Sequence, residues 1–360
     1  MKPKKRIQKV MNCEIPDRVP FDGLMPFRSD FLFLQLLPSK QWQPEDRDGV
    51  YPNVHSAIMK ARLWRWKPQN WSPPKNWQEI PRQAVDEFGC LWDYTNDDVT
   101  KGHPIGGPLK EWDMLDDWVF PDPYDPSRYR LGGIITRLFF RKYIVGTLDS
   151  FLFARLQYLR GFTKSLVDLR RNKEEVHALM KKLRDYYIGT VEMWAKKGCD
   201  AIITMDDMGA QHELFVNPKL YKEFIAEPFR EIVKVTHELG MKFILHSCGH
   251  VNELMPIWAE IGVDALQFDS PRMTGLEYDA QFSDKFCFLM VPDIQKVYPF
   301  ATVAELEEEV KMMIRMIGKD GGLVIRDYFG ARKVLHVPNE NYKALPKIVK
   351  KWGNYPLDWI

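Results

Sequence analysis

The sequence predicts one α/β domain folded as a (β/α)8 barrel. From about residue 142 onward, short apolar runs rich in Ile, Val, Leu and Phe alternate with longer amphipathic stretches. The runs show no polar alternation, which is typical of parallel strands covered on both faces. No glycine-rich phosphate loop follows the first strand, and this disfavours the competing doubly wound open sheet. A length of 360 residues fits one large domain or two, and a barrel can take up the whole chain.

The regular part of the chain supplies six strand–helix units. The predicted strands are 144–148, 201–205, 242–246, 265–268, 286–291 and 322–325. The predicted helices between them are 173–198, 218–240, 251–262 and 302–318, and each ends at Gly, the usual C-cap residue. Two further strands, around 18–21 and within 84–95, complete the eight units of a barrel.

The first 140 residues have a different texture. Segments 63–78 and 116–130 are dense in Pro, Trp and Asp without a helical or alternating period, so we expect ordered loops. The chain is therefore predicted to be one barrel domain over 1–360. In it, 1–140 supply N-terminal segments and loops over the barrel mouth, and 141–360 supply the regular units.

Composition excludes several classes of function. With 51 basic and 49 acidic residues the net charge is +2, which argues against a nucleic-acid-binding surface. No apolar run reaches the roughly 18 residues of a membrane span, and the basic N-terminus lacks the apolar region of an export signal. Five scattered cysteines make a poor disulfide framework. We therefore expect a cytoplasmic protein with a small-molecule substrate; its oligomeric state stays open between monomer and homodimer.

Polar residues cluster where the predicted strands end. They include Asp206 and Asp207, the run His246 to His250, Asp269, the run Asp293 to Gln295, and the run Arg326 to Tyr328. In a barrel these ends form one mouth, where functional groups from several strands converge. A carboxylate after a strand also caps helices and turns, so each single aspartate has a structural alternative.

The pair His246 and Cys248 carries the most specific signal. Residues two apart in an extended strand end point to the same side, so an imidazole and a thiol lie together, as Zn²⁺ prefers. The alternative is a buried cysteine packing as a small hydrophobe beside a hydrogen-bonded histidine. His250 is expected at the first turn of the next helix.

Several segments together resemble a known family. They are IPDRVPF (15–21), DEFGCLWDY (86–94), LRGFTKSLVDLRRN (159–172), TMDDMGAQ (204–211), ILHSCGHVNELMPIWAEIGVDAL (244–266), VPDIQ (291–295), GGLVI (321–325) and VPNEN (337–341). In order and spacing they resemble the uroporphyrinogen decarboxylase superfamily over nearly the whole chain. The resemblance implies a single-domain (β/α)8 barrel.

Two branches of that superfamily differ in their motifs. The decarboxylases carry an arginine-rich N-terminal segment that binds propionates, whereas residues 21–31 here contain only Arg28, a poor match for a substrate with many carboxylates. The corrinoid-dependent methyltransferases carry His-x-Cys and a later Cys as zinc ligands. His246 and Cys248 match the first two, and residues 326–330 contain no thiol.

The resemblance therefore implies a mixed zinc site. His246 and Cys248 would be completed by a carboxylate from Asp207, Glu213, Asp269 or Asp327, with Glu213 taken as the third ligand. Oxygen in place of sulfur makes the ion a harder Lewis acid, which suits a methyl ether better than a thiol.

The predicted function is a methyltransferase that moves a methyl group between a small substrate and a corrinoid on a partner protein. The predicted catalytic residues are Asp206, Asp207 and His246; the predicted substrate-binding residues are Arg28, Gln211, Asp269, Gln295 and Tyr328. Eight of the 12 Trp residues precede residue 120 and favour a planar substrate such as a methoxylated aromatic, although core packing accounts for most of them.

Two alternatives remain at this stage. The first is a metal-free lyase of the decarboxylase type acting on a carboxylated substrate, with Arg28 and Arg326 as anchors. The second is a non-catalytic barrel that docks a corrinoid protein. The grouping of Asp, His and Cys side chains at the barrel mouth argues against a non-catalytic scaffold.

Overall fold

The computed structural model describes residues 1–23, 29–42, 83–93, 103–130, 132–328 and 335–360. Eight parallel strands form a nearly closed barrel, which confirms the predicted fold class. These strands are β1 (Phe21–Asp22), β2 (Phe31–Leu34), β6 (Tyr143–Ser150), β7 (Ala201–Met205), β8 (Lys242–His246), β9 (Ala265–Phe268), β10 (Cys287–Met290) and β11 (Leu323–Arg326). A separate antiparallel sheet contains β3 (Gln83–Val85), β4 (Leu91–Asp93) and β5 (His103–Gly106).

The neighbours in the barrel run β1-β11-β10-β9-β8-β7-β6-β2. The Asp30 backbone N–H donates to the Phe21 carbonyl over 3.0 Å, which links the two end strands. The six predicted strands of the regular part each coincide with an observed strand, because buried strands of a parallel sheet must be apolar on both faces.

Every second residue of the barrel strands points into the barrel interior. The interior layer contains Phe31, Tyr143, Val145, Ala201, Ile244, Ala265, Cys287, Leu289 and Val324. Helix α1 (Pro3–Met11) adds Ile7, Val10 and Met11 to the same cluster and so closes one end of the barrel. Because α1 fills the amino end of the strands, the open end of the barrel is the carboxyl end of the strands.

Helices surround the barrel. After α1 they are α2 (Gly132–Leu138), α3 (Leu152–Arg160), α4 (Phe162–Arg171), α5 (Lys173–Lys196), α6 (Pro218–Tyr221), α7 (Glu227–Glu238), α8 (Met255–Ile261), α9 (Pro271–Thr274), α10 (Leu276–Asp279), α11 (Val297–Phe300), α12 (Val303–Met313) and α13 (Asn339–Trp352). One-turn π segments, Lys222–Ala226 and Ile314–Gly318, adjoin α7 and α12. Within the described ranges no helix is both long and apolar enough to span a bilayer.

Of the two barrel strands predicted upstream of residue 142, one is observed in the barrel. The strand expected around 18–21 is observed as β1, but the segment within 84–95 belongs to the small antiparallel sheet and not to the barrel, whose second strand is β2. The reason is a turn: Asp86 Oδ1 accepts the backbone N–H groups of Phe88 and Cys90, both at 2.9 Å, and Gly89 has φ +78°. An aspartate and a left-handed glycine this close reverse the chain into a hairpin.

The N-terminal 140 residues contribute to other parts of the barrel besides its mouth. They include α1 at the opposite end of the barrel and the strands β1 and β2, while residues 43–82 lie outside the described residues. Trp92 is buried and donates to Asp86 at 2.9 Å, and Trp112 donates to Asp168 at 3.2 Å. These two tryptophans pack the structure; Trp64, Trp66, Trp71 and Trp77 lie in the part of the chain that is not described.

A buried carboxyl at the end of α10 makes stability depend on pH. Burial raises the pKa of Asp279 to about 7. The Thr274 hydroxyl donates to Asp279 Oδ2 at 2.9 Å and lowers this pKa in part. The folded protein therefore keeps a proton that the unfolded chain releases near pH 4, and this carboxyl's contribution to stability falls as pH rises from about 4 to 7. We expect Asp279→Asn to change the free energy of unfolding little at pH 4 and to raise it, by on the order of 3 kcal/mol, at pH 8.

Urea denaturation of both proteins at the two pH values measures this difference. Asp284→Asn is the matched control, because the Asp284 side chain is 69% exposed. An equal effect of Asp279→Asn at pH 4 and pH 8 would contradict the prediction.

Candidate metal and substrate site

The centre of the site follows from the pairing of β7 with β8. Met205 and His246 are ladder partners at the ends of these strands. The chains leave the barrel side by side, so Asp207 and Cys248 come next to one another, each two residues further on. The Cys248 backbone N–H donates to Asp207 Oδ1 at 2.9 Å, which orients the carboxylate.

Three ligand atoms of different chemistry meet there. Cys248 Sγ lies 3.3 Å from His246 Nε2, and Asp207 Oδ1 lies 3.4 Å from the same nitrogen. The imidazole is mostly buried, at 12% exposed, whereas the Asp207 side chain is 48% exposed. Asp207, His246 and Cys248 therefore form a half-open cluster, reachable from the mouth, with all three ligand atoms within 4.8 Å of one another.

Two glycines hold the loops that carry these ligands together. Gly209 follows β7 and Gly249 follows β8, and the Gly209 N–H donates to the Cys248 carbonyl at 3.2 Å. A Cβ atom on Gly249 would lie 2.0 Å from the Gly209 carbonyl oxygen, and Gly249 has φ +85°. Only glycine permits this close backbone contact, so the spacing Asp-x-Gly and Cys-Gly is a structural requirement of the cluster.

A glutamine fixes the protonation pattern of the histidine. Gln267 is the ladder partner of His246 on β9, and its Oε1 forms a short hydrogen bond with His246 Nδ1. Gln267 Nε2 donates to Asp269 Oδ1 at 2.9 Å, and a carboxylate only accepts, so the Gln267 oxygen must face the imidazole. Nδ1 therefore carries the proton, and Nε2 is left to bind a proton or a metal.

Gln267 is not among the site residues predicted from the sequence. A signal was present, because Gln267 is the one polar residue in the otherwise apolar strand Ala265–Phe268, and it is 5% exposed. A buried amide inside a barrel strand needs partners for its polar atoms, and here those partners are His246 and Asp269.

Asp269 and Tyr328 extend the cluster across the mouth. Asp269 Oδ2 lies 3.7 Å from Cys248 Sγ and accepts a hydrogen bond from the Tyr328 hydroxyl at 2.7 Å. Burial, together with the Asp269 carboxylate, raises the pKa of Tyr328, so the hydroxyl stays protonated. The structure thus brings two of the predicted substrate-binding residues next to the candidate metal ligands.

The electrostatics of the histidine–cysteine pair favour a bound cation. Burial raises the pKa of the Cys248 thiol, and the His246 imidazole opposes part of that rise. Burial also disfavours a charged imidazole, but Cys248, Asp269 and Asp207 outweigh it and raise the pKa of His246. A divalent cation bound at these side chains would stabilise the thiolate and take the place of the proton on Nε2.

The other predicted catalytic aspartate has structural contacts. Asp206 is 2% exposed and accepts the backbone N–H groups of Ala154 at 2.7 Å and Phe153 at 3.2 Å, at the start of α3. Burial raises the pKa of Asp206 to about 7, while these two N–H groups act in the opposite direction. Asp206 thus caps α3, the structural alternative that the sequence left open, and its catalytic role stays a prediction.

The remaining predicted residues are spread more widely. The side chains of Gln211, Glu213 and Gln295 are exposed, and Glu213 is not part of the ligand cluster, whose carboxylate is Asp207. Asp327 is 9% exposed and accepts the Tyr298 hydroxyl at 2.6 Å. Arg28 lies outside the described residues, so its role stays a prediction.

The cluster fits zinc on the chemistry and spacing of its donors. Zn–N and Zn–O distances of about 2.0–2.2 Å and a Zn–S distance of about 2.3 Å, at tetrahedral angles, require an N···O separation of about 3.3–3.5 Å and an N···S separation of about 3.5–3.6 Å. The observed N···O separation of 3.4 Å lies in its range, and the observed N···S separation of 3.3 Å is about 0.2 Å shorter than its range. Three protein ligands and an open side are typical of catalytic rather than structural zinc sites.

More than half of the chain matches a known protein family. A family model described as uroporphyrinogen decarboxylase (URO-D) matches residues 153–352, more than half of the chain. The chain belongs to this family. The match contains the strands from β7 to β11 and therefore every described ligand of the cluster.

Two proteins that resemble this chain are described as methyltransferases. The methylated-thiol–coenzyme M methyltransferase of Methanosarcina mazei is 27% identical over 101 residues, which make up 28% of this chain and 26% of that protein. The aligned stretch thus spans about a quarter of the relative. A solved structure described as a methyltransferase from Methanosarcina mazei superposes with a TM-score of 0.64 at 15% identity, covering 98% of this chain and 99% of that one. At this identity the superposition supports the barrel fold alone.

Proposed function

We propose that this protein is a zinc-dependent methyltransferase that moves a methyl group from a small methoxylated substrate to a corrinoid on a partner protein. The observation that carries the proposal is the cluster of Asp207, His246 and Cys248 at the open end of the barrel. The membership of the URO-D family and the partial match to a methyltransferase support it.

The chain's own residues would prepare the site for this chemistry. Gln267 holds the His246 ring with Nε2 facing the mouth, and the Cys248 N–H holds Asp207 beside it. The side chains of Asp269 and Tyr328 form the neighbouring wall. Bound zinc would act as a Lewis acid on the leaving oxygen of a methyl ether, which leaves poorly without such assistance.

The ligand set favours oxygen over sulfur as the leaving atom. In the transfer the methyl C–O bond would break and its electron pair would stay on the oxygen, which would gain a proton, while a reduced cobalt(I) corrinoid would supply the electron pair of the new cobalt–carbon bond. A carboxylate in place of the second thiolate leaves the metal harder, so an ether oxygen is the better partner. We therefore propose a methoxylated substrate, in contrast to the thiol in the relative's name.

The direct test is methyl transfer to reduced free cobalamin. Zinc-loaded protein is mixed with methoxybenzoates, methanol or a methyl thioether, and the visible spectrum reports methylcobalamin. We expect transfer from a methoxylated donor, and we expect Cys248→Ser to abolish it. In parallel, uroporphyrinogen is supplied without metal. Formation of coproporphyrinogen, with no methyl transfer from any donor, would overturn the proposal in favour of the lyase.

A further inference from the structure

Arg326 faces the inside of the barrel mouth. Arg326 is the last residue of β11 and lies two residues beyond Val324, which belongs to the interior cluster, so both side chains point inward. Among the described barrel strands, β11 alone has arginine or lysine at its carboxyl end. The proposed zinc function does not use this cation.

The contacts of Arg326 leave part of its guanidinium available. Arg326 Nε donates to Asp22 Oδ2 at 2.8 Å, and the guanidinium carbon lies 5.4 Å from the centroid of the Phe33 ring. Asp22 is itself held by the Ser29 hydroxyl at 2.7 Å. Within the described ranges Asp22 is the polar partner of Arg326, through Nε, so the two terminal nitrogens are free to donate. Since the side chain is 20% exposed, a ligand in the mouth can reach them.

Two side chains, Tyr328 and Asp269, lie between Arg326 and the ligand cluster. Tyr328 lies two residues beyond Arg326 and donates to Asp269, which is 3.7 Å from Cys248 Sγ. Along the barrel mouth, Arg326 and the candidate zinc ligands are therefore separated by the side chains of Tyr328 and Asp269. A small molecule that reaches the metal ligands with one end can contact the guanidinium with its other end.

We propose that Arg326 binds a carboxylate of the substrate, and that the substrate is a methoxylated aromatic acid with its methoxy group directed at the zinc ligands. A planar guanidinium with two free terminal N–H groups matches a carboxylate in a bidentate arrangement. The identity of the reacting methoxy group rests on the proposed function, whereas the carboxylate contact does not.

Equilibrium binding tests this without any turnover. Isothermal titration calorimetry of the zinc-loaded protein compares 2-, 3- and 4-methoxybenzoate with the corresponding methoxybenzamides, which are neutral and of similar shape. We expect the wild-type protein to bind at least one benzoate about 10–100-fold tighter than its amide, as for a hydrogen bond to a charged group. Arg326→Gln should remove this preference and leave the affinity for the amide unchanged, and Arg326→Lys should retain part of it.

Removing Arg326 alone leaves Asp22 as a buried unpaired charge, so the double variant Asp22→Asn/Arg326→Gln keeps the test valid if the single variant unfolds. Arg230→Gln is the control, because Arg230 is an exposed arginine paired with Glu227 on α7. Equal affinity of the wild-type protein for acid and amide, no measurable binding of any methoxybenzoate, or a preference that survives in the double variant would overturn the proposal. A preference that depends on Arg326, found together with no methyl transfer, would confirm the carboxylate site and refute the methyltransferase function.

Discussion

Replacing either His246 or Cys248 by alanine is expected to abolish zinc binding while the barrel stays folded. Both residues follow the buried part of β8, and their polar atoms contact each other and Asp207 rather than the apolar core. Loss of one of three protein ligands should lower the affinity for zinc by more than about 100-fold, because even residues that only support a ligand contribute 10–100-fold. Chelator competition and metal analysis of purified protein measure the loss.

Thermal denaturation checks that the variants are folded. A metal that binds only the native state raises the melting temperature, so wild-type protein should melt at a higher temperature with zinc than without it. Both variants should melt near the metal-free wild type and show no rise with zinc. His177→Ala, which removes an exposed histidine on α5, should behave as wild type. Zinc content that persists in His246→Ala and Cys248→Ala would refute the site.

The same titration separates a ligand from a positioning residue. Gln267→Leu removes the acceptor of the His246 Nδ1 proton and the donor to Asp269 but leaves all three ligand atoms in place. Zinc affinity should therefore fall by about 10–100-fold instead of vanishing. Unchanged affinity in Gln267→Leu would show that strand packing alone orients the imidazole.

Local periodicity was enough to predict most of the barrel and two of the three members of the candidate metal cluster. His246 and Cys248 are two apart on one strand, so their proximity follows from the sequence. Selecting Asp207 from four carboxylates required the ladder pair Met205 and His246, which relates residues 41 positions apart. Sequence spacing within one strand carries no information about such pairing, so it could not single out Asp207 over Glu213.

The errors in the N-terminal part have local causes. Strand β2 follows β1 after only eight residues, fewer than the dozen or more that usually connect parallel strands, so the pattern did not reveal it. The segment within 84–95 has the apolar content of a barrel strand, but Asp86 and Gly89 turn it into a hairpin. Turn chemistry overrode the strand pattern in one place, and the short connection concealed a strand in the other.

Gly249→Ala is expected to damage both the fold and the metal site. The new Cβ would lie 2.0 Å from the Gly209 carbonyl oxygen, a backbone atom that no change of rotamer can move. The loops after β7 and β8 must then separate, which pulls Cys248 away from Asp207. We expect the free energy of unfolding to fall by more than the roughly 1–2 kcal/mol that a left-handed alanine costs, and zinc affinity to fall as well.

Gly240→Ala isolates the conformational part of this effect. Gly240 has φ +74°, close to that of Gly249, but no heavy atom lies within 4 Å of an added Cβ. Urea denaturation should show a loss of about 1–2 kcal/mol for Gly240→Ala, with zinc affinity unchanged. The difference between the two variants measures the cost of the loop contact. If both lose the same stability and both bind zinc as wild type does, the glycine contact does not hold the ligands together, and the hydrogen bond from the Cys248 N–H to Asp207 must do so alone.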